Sequence, residues 1–152
     1  YNLVDRHIEQ ELLDFCSSES IGVMTYSPLG AGFLTGKYRR DAAVPSGTRF
    51  DVKPAHQAIY FTDQGFRVME SLRSLADETG QPMARLALAW VLRRQGITSV
   101  LVGARKPGHV DQAFLALTEH WIKRNTAAFL AAPRPVCPNR AFDQLAIGIH
   151  AA

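Results

Sequence analysis

Charge of one sign, metal-binding spacings and long apolar runs are all scarce in this sequence of 152 residues. The net charge at neutral pH is only +3, and the lysines and arginines are scattered along the chain. Proteins that bind nucleic acid usually concentrate basic residues on one face, so this distribution argues against such a partner. The histidines show neither metal-ligand spacing nor a Ser/His/Asp pattern, and we therefore predict no metal site.

The two cysteines, Cys16 and Cys137, have no metal-ligand spacing between them and fit a reducing compartment. No apolar run approaches the roughly 20 residues of a membrane-spanning helix, and no signal-peptide pattern opens the sequence. Hydrophobic residues make up 47% of the chain and charged residues 20%, which is typical of one globular domain. The composition therefore predicts a cytoplasmic protein without a membrane segment.

The most informative stretch is residues 22–38, GVMTYSPLGAGFLTGKY. Its first part, residues 23–26, is apolar and β-branched and predicts a buried strand. From Ser27 onwards, a proline and three glycines interrupt any regular element. A loop of this kind can direct backbone N–H groups at an anion, with Lys37 as a mobile positive charge. A plain surface turn explains the same composition, and spacing alone slightly favours it.

Helical patterns alternate with short apolar strands, which predicts an α/β fold with parallel strands. Asp5 and Thr62 are candidate N-caps, and Gly80 is a candidate helix end. The predicted helices cover residues 5–18, 62–79, 82–94 and a stretch from Pro107; the predicted strands cover residues 1–4, 23–26 and 99–102. The predicted buried faces consist of Ile8, Leu12, Phe15 and Cys16; Phe66, Met69, Leu72 and Leu75; Leu86, Ala87, Trp90 and Val91; and Val110, Ala113, Phe114 and Leu117.

Three stretches of the chain, taken in order, have the motifs and spacing of a known family. They are YNLV at residues 1–4, YSPLGAGFLTGKY at residues 26–38, and ALAWVL with ITSVLVGAR at residues 87–92 and 97–105. They resemble the sixth strand, the segment after the seventh strand, and the last helix with the eighth strand of aldo-keto reductases. The resemblance implies an α/β fold in which residues 1–117 are the C-terminal portion of a (β/α)8 TIM barrel with NADP-binding loops.

Members of this family use NADPH to reduce aldehydes and ketones, or run the reverse oxidation. The resemblance implies that Tyr26 stacks on the nicotinamide ring and orients it for hydride transfer. It also implies that Lys37 supplies a counter-charge to the pyrophosphate and that Arg49 lies in a strap that folds over it. The loop along the pyrophosphate would consist of Ser27, Pro28, Leu29, Gly30 and Gly32.

The adenosine end of the cofactor would lie against Gly103 and Arg105 by the same resemblance. An arginine there can hold the 2′-phosphate through paired, charge-assisted hydrogen bonds, which favours NADPH over NADH. The family pattern continues with Gln and then Glu-Asn, whereas this chain has His109 and then Gln112-Ala113. His109 and Gln112 can still contact the adenine, but Ala113 offers no side-chain hydrogen bond.

We assign no catalytic residue, because the Asp, Tyr, Lys and His tetrad of the family lies on its first strands and those motifs do not occur here. Three interpretations stay open. The chain is the cofactor-binding part of an oxidoreductase acting on a small-molecule carbonyl, a non-catalytic NADP-binding regulatory module resembling potassium-channel β-subunits, or an inactive truncated remnant.

Open strand edges predict that the chain pairs with a complementary N-terminal half or with itself. Residues 118–152 do not match the family and are expected to form an atypical tail. Divergence, disorder and translation in a shifted frame are open alternatives for that tail.

Overall fold

A computed structural model describes residues 1–118 and 144–149. Within them, short helical segments precede three longer helices, and the strands form a parallel sheet, so the predicted α/β class is confirmed. The α-helices are α1 (Leu12–Ser18), α2 (Arg49–Val52), α3 (Gln57–Tyr60), α4 (Asp63–Thr79), α5 (Met83–Leu92) and α6 (Pro107–Leu117). The 3₁₀ helices are His7–Glu9, Gly30–Thr35 and Pro54–His56, and the strands are β1 (Met24–Thr25), β2 (Ser99–Ala104) and β3 (Gln144–Ile149).

The sheet has the strand order β1-β2-β3, and both of its strand pairs are parallel. Burial alternates along β2 as a period of two requires: Val100, Val102 and Ala104 are buried, while Leu101 is exposed. Met24 is also exposed, although the sequence predicts a buried strand there. The strand is therefore present, but one face of the sheet is open among the described residues.

Helix α4 begins and ends where the sequence predicts, and α5 lies within the predicted residues 82–94. The Thr62 hydroxyl accepts a hydrogen bond from the Gly65 amide (3.0 Å), which caps the first turn of α4. Gly80 ends α4 in the left-handed conformation, with φ of 64°. The predicted buried residues of α4 and α5 are confirmed, with Leu75 only partly buried.

An aromatic cluster fills the space between the loop after β1 and helix α4. Phe33 lies at its centre, fully buried, and the surrounding ring centroids are between 5.3 and 6.4 Å away. Many of these ring pairs are tilted or edge-on, the geometries that aromatic quadrupoles favour. The cluster consists of Phe33, Tyr38, Phe50, Tyr60, Phe61 and Phe66.

The start of the chain differs from the prediction. Residues 1–4 form no strand, because the Asn2 side chain accepts hydrogen bonds from the amides of Val4 (2.9 Å) and Asp5 (3.0 Å) and turns the backbone. The predicted helix over residues 5–18 is divided into the 3₁₀ helix His7–Glu9 and α1. Asp5 does not cap it; its carboxylate lies 2.6 Å from His7 Nδ1.

Two predicted helix faces are rotated. The tighter 3₁₀ segment changes the helical phase before α1, so Leu13 is buried while Leu12 and Phe15 are exposed; Cys16 is buried, as predicted. Helix α6 turns its small Ala113 and Ala116 inward, and Phe114 and Leu117 are exposed. Periodicity alone does not distinguish a small-residue contact face from a face of larger apolar residues.

A partly buried ion cluster joins the start of the chain to the end of α5. The Glu9 carboxylate accepts hydrogen bonds from Arg6 (3.0 and 2.6 Å) and from the Tyr1 hydroxyl, and it lies 2.9 Å from the Arg94 guanidinium. Arg94 also donates to the Tyr1 oxygen at 2.9 Å and lies 4.9 Å from the centroid of Trp90. Burial raises the pKa of Glu9, but the hydrogen bonds from Arg6 and Tyr1 and the charge of Arg94 outweigh it, leaving that pKa lowered.

The stability of the chain is expected to decline as the pH falls through the depressed pKa of Glu9. A carboxylate with a lowered folded-state pKa stabilises the fold above its ordinary pKa, here 4.5, and loses that contribution as it binds protons. Urea unfolding at neutral pH and below about pH 4 would measure the decline. Glu9→Gln should be less stable at neutral pH and show a smaller acid-induced decline than the unmodified protein. Glu70→Gln, at an exposed position of α4, is the matched control; an unchanged acid response in Glu9→Gln would contradict the prediction.

Most of the predicted tail, residues 119–143 and 150–152, lies outside the described residues. Residues 144–149 form β3, which pairs with β2 from Ser99↔Gln144 to Ala104↔Ile149. Among the described residues, no helix combines the length and the apolar character that crossing a membrane requires.

Candidate functional site

The candidate site lies at the edge of the sheet where β1 and β2 end. Thr25, the last residue of β1, pairs with Val100, and β2 continues four residues further, to Ala104. At about 3.3 Å per residue, that offset is about 13 Å. The chain segments that follow these two strands therefore start at the same edge of the sheet, but the segment after β2 starts further along the strand direction.

Tyr26 directly follows β1, and 71% of it is exposed. It is two residues after Met24 and so belongs to the open face of the sheet. Its carbonyl oxygen accepts a hydrogen bond from the backbone nitrogen of Tyr1 at 2.9 Å, which fixes the peptide after the ring. An aromatic ring held at a strand end, with its own surface free, is suited to stacking on a planar ligand.

The segment after Tyr26, residues 27–37, is termed the glycine loop here, and its backbone repeatedly enters the left-handed region. The φ angles are 53° at Ser27, 56° at Gly30, 55° at Ala31 and 89° at Gly32. At Gly30, an added Cβ would lie 2.8 Å from the Tyr60 ring, so this close approach requires glycine. The sequence correctly predicts irregular structure here, although the loop includes the 3₁₀ helix Gly30–Thr35.

Lys37 is the last residue of the glycine loop, and its side chain folds back onto that loop. Its ammonium nitrogen lies 3.0 Å from the place that a Cβ of Gly32 would occupy, and 5.3 Å from the ring centroid of Tyr38. Any side chain at residue 32 would therefore displace the lysine or be displaced by it. The glycine permits a positive charge beside the loop backbone, which is the arrangement that the sequence predicts for an anion site.

At the end of β2, the structure brings together Arg105 and His109. The Arg105 amide donates to His109 Nδ1 at 3.4 Å, and both residues are exposed at the beginning of α6. Gly103 is exposed, with nothing within 4 Å of an added Cβ, so a ligand can approach the backbone there. Gln112 accepts a hydrogen bond from Arg85 Nε at 2.9 Å, and an adenine contact would have to compete with that bond.

Arg49 and the apolar loop residues have different surroundings. Arg49 is exposed at the start of α2, whose neighbouring Phe50 packs edge-on against Phe33 at 6.4 Å. The loop and the α2 segment thus share one core, while the arginine side chain faces solvent. Pro28 is buried and Leu29 is partly buried, so these two residues pack against the protein interior and do not face a ligand.

Two residues of this region were missed by the sequence analysis. Asn2 is fully buried, and its Nδ2 donates to the Ser27 carbonyl oxygen at 3.1 Å and to the Tyr60 hydroxyl at 3.4 Å. Burial raises the pKa of the Tyr60 phenol, and the Asn2 hydrogen bond offsets part of that rise. An asparagine inside an otherwise apolar stretch was the available signal, since asparagine favours turns over strands.

Within the described part of the chain, no three His, Cys, Asp or Glu side chains come together in a group that could hold a metal ion. What the site does offer is an exposed aromatic ring, a loop with left-handed backbone, a lysine beside that loop and an exposed arginine one strand away. These are groups for stacking on a ring and for holding anionic groups.

Comparison with known proteins identifies the family. A model of the "Aldo/keto reductase family" matches residues 1–127. A probable voltage-gated potassium channel subunit beta from Arabidopsis thaliana is 34% identical over 122 residues, covering 77% of this chain and 36% of that protein. An NADH-specific methylglyoxal reductase from Escherichia coli is 35% identical over 125 residues, covering 77% of this chain and 35% of the relative.

A solved structure, that of a glycerol dehydrogenase from Gluconobacter oxydans, superimposes with a TM-score of 0.61 and 28% identity. The match covers 93% of this chain and 44% of the dehydrogenase. The chain thus spans little more than a third of the length of the curated relatives named above.

Proposed function

The chain belongs to the aldo/keto reductase family, and from that membership we propose that it is the cofactor-binding part of an NADPH-dependent oxidoreductase. The reaction is hydride transfer between the nicotinamide and a small-molecule carbonyl or alcohol. In this proposal residues 1–117 correspond to strands six to eight of the barrel, and the protein works in the cytoplasm.

The observation that carries the proposal is the shared edge of β1 and β2. Tyr26 and the glycine loop leave one strand there, and Arg105 leaves the other about 13 Å further along. An extended dinucleotide has a ring at one end, a charged middle and, in NADPH, a phosphate at the other end. The donor set fits that order, with an aromatic ring, Lys37 beside the loop, and an arginine.

When bound, the nicotinamide supplies the hydride. Tyr26 orients the ring, because stacking fixes which face is presented to the carbonyl. Lys37 neutralises the pyrophosphate, and Ser27, Gly30 and Gly32 allow the backbone to approach it. Arg49 closes over the same groups from the start of α2.

In this proposal, Arg105 determines the preference for NADPH over NADH. A guanidinium offers a planar fork of donors that matches a phosphate, and NADH has no 2′-phosphate for it to hold. His109 and Gln112 contact the adenine, the latter after releasing Arg85. One relative of this chain is named as NADH-specific, so the test below measures both cofactors.

The acid that protonates the carbonyl oxygen is not assigned to any residue of this chain. In the family the tetrad lies on the first strands, and we propose that a complementary N-terminal half supplies them. The exposed Met24 and Leu101, on the open face of the sheet, are positioned to be covered by such a partner.

A second candidate function is a non-catalytic, NADP-binding regulatory module. The similarity to a probable potassium channel subunit beta favours it. The two functions share one cofactor site and differ in turnover, so binding of NADPH without carbonyl reduction by the complete protein would favour the regulatory module. An inactive remnant would neither bind nor react.

Arg105→Ala is expected to weaken NADPH binding by about tenfold to a hundredfold, since one or two charge-assisted hydrogen bonds are lost. NADH affinity should change by less than about threefold, because the phosphate is absent. The measurement is a fluorescence titration of the purified chain with each cofactor. Arg67→Ala, which removes an exposed arginine from α4, is the matched control and should bind both cofactors as the unmodified chain does.

Equal weakening for NADPH and NADH would reject the role of Arg105 in phosphate recognition. A folded chain that binds neither cofactor would reject the cofactor site as a whole. Circular dichroism on the same samples distinguishes that result from an unfolded chain.

A further inference from the structure

We infer that Asn2 is a positioning residue that sets the backbone conformation of the glycine loop, and through it the affinity of the loop for its ligand. The ligand in question rests on the proposed function, whereas the anchoring of the loop does not. Asn2 lies 25 residues before Ser27 and 58 before Tyr60, yet its side chain joins both. Because it is fully buried, water cannot replace the hydrogen bonds that it makes.

The two ends of the Asn2 amide have different partners. Oδ1 accepts from the amides of Val4 and Asp5 at 2.9 and 3.0 Å, so it is fixed by the turn that contains it. Nδ2 points the other way, donating to the Ser27 carbonyl oxygen at 3.1 Å and the Tyr60 hydroxyl at 3.4 Å. The turn thus holds the asparagine rigidly, and the asparagine holds the loop.

Ser27 is the position where the loop departs from strand geometry. Its φ of 53° is a left-handed conformation, which is unfavourable for a non-glycine residue. Its carbonyl oxygen accepts from Asn2 and also from the Gly30 amide at 2.9 Å. Two donors on one carbonyl favour the peptide orientation that this conformation requires, directly after Tyr26.

Tyr60 extends the same anchoring to Gly30. Its ring lies where a Gly30 side chain would be, and its hydroxyl meets Asn2. Asn2, Ser27, Gly30 and Tyr60 therefore form one contact chain from the start of the sequence to the middle of the loop. Loss of the Nδ2 donor should release the loop without removing the Oδ1 acceptor on which the turn depends.

The test compares Asn2→Asp and Asn2→Ser with the unmodified chain. Both variants keep an oxygen that can accept from the turn amides, and neither offers a donor in place of Nδ2 that reaches Ser27. Asn2→Ser is uncharged, so it separates lost anchoring from the added negative charge of aspartate. Ser71→Ala is the matched control, because it removes one side-chain hydrogen bond, to the Arg67 carbonyl, from an exposed position of α4 that does not contact the glycine loop.

Hydrogen exchange without cofactor is measured first. Amides of residues 27–36 should exchange about tenfold faster in both Asn2 variants, while those of α4 and α5 keep their protection. NADPH titration should then show about a tenfold higher Kd in both Asn2 variants and less than about a twofold change in Ser71→Ala.

Unchanged loop exchange in both Asn2 variants would overturn the inference, whether or not NADPH binds. Faster exchange with an unchanged Kd would overturn the effect on affinity. Faster exchange in a protein whose unmodified form binds no NADPH would support the anchoring and reject the proposed cofactor instead.

Discussion

Replacing Phe33 by alanine is expected to lower the free energy of unfolding by about 3–5 kcal/mol, the range for large-to-small changes at fully buried aromatic positions. The ring is fully buried, with Phe66 at 5.3 Å and Phe61 at 5.6 Å between centroids. The cavity would lie among rings that are themselves large and rigid, so the surroundings have little freedom to collapse into it. Because Phe33 is part of the glycine loop, cofactor binding should be lost with the packing.

Urea unfolding followed by circular dichroism measures the effect. Phe114→Ala is the matched control, since 54% of Phe114 is exposed on α6, and its loss should cost less than about 1 kcal/mol. Similar destabilisation by the two variants would mean that the aromatic cluster does not form the core of this chain.

Replacing Gly65 by alanine is expected to lower the free energy of unfolding by a similar amount. Here the cause is overpacking by an added methyl group and not a cavity. The glycine lies in the first turn of α4, and an added Cβ would fall far inside van der Waals contact of the Tyr60 carbonyl oxygen. That neighbour is backbone, so it cannot rotate away as a flexible side chain would. Either α3 separates from α4 or the Thr62 cap opens, and we expect a loss of about 3 kcal/mol or more.

Gly108→Ala is the matched control for Gly65→Ala. Gly108 also lies in the first turn of a helix, α6, but nothing lies within 4 Å of its added Cβ. There the methyl group should stabilise the chain by up to about 1 kcal/mol, because alanine restricts the unfolded backbone. The melting temperatures of the two variants should therefore shift in opposite directions. Shifts of the same sign and size would contradict the packing at Gly65.

Local chemistry made the helix boundaries predictable. Thr62 and Gly80 determine the ends of α4 through one hydrogen bond and one backbone conformation, and both are properties of single residues. The buried faces of α4 and α5 were predicted because each has a single apolar stripe that packs against the core. Tertiary structure agrees with local preference in these elements.

Prediction failed where it relied on apolar spacing alone. Residues 1–4 are apolar enough for a strand, but the hydrogen bonds of Asn2 favour a turn. Phe114 has the spacing of a core residue, yet the close approach of α6 through Ala113 leaves it outside. Spacing shows neither outcome, since the first depends on local hydrogen bonds of one side chain and the second on which element lies opposite α6.

The sequence identified the residues proposed to contact the ligand, but it did not identify the residues that hold them in place. The residues that provide its ring and charges, Tyr26, Lys37 and Arg105, were identified from the motif that contains them. Asn2 and Tyr60 were not, because their role is to hold the loop in place and they lie far from it in sequence. A motif shows which groups face a ligand more readily than it shows which residues support them.

The unequal lengths of β1 and β2 have an evolutionary consequence. The groups proposed for the reactive ring follow one strand, and those proposed for the distal phosphate follow another, about 13 Å further on. Sites this far apart, with no shared partner, usually contribute additively to the free energy of binding. A lineage can therefore exchange one electron carrier for the other through substitutions after β2 while the geometry of hydride delivery stays under separate selection.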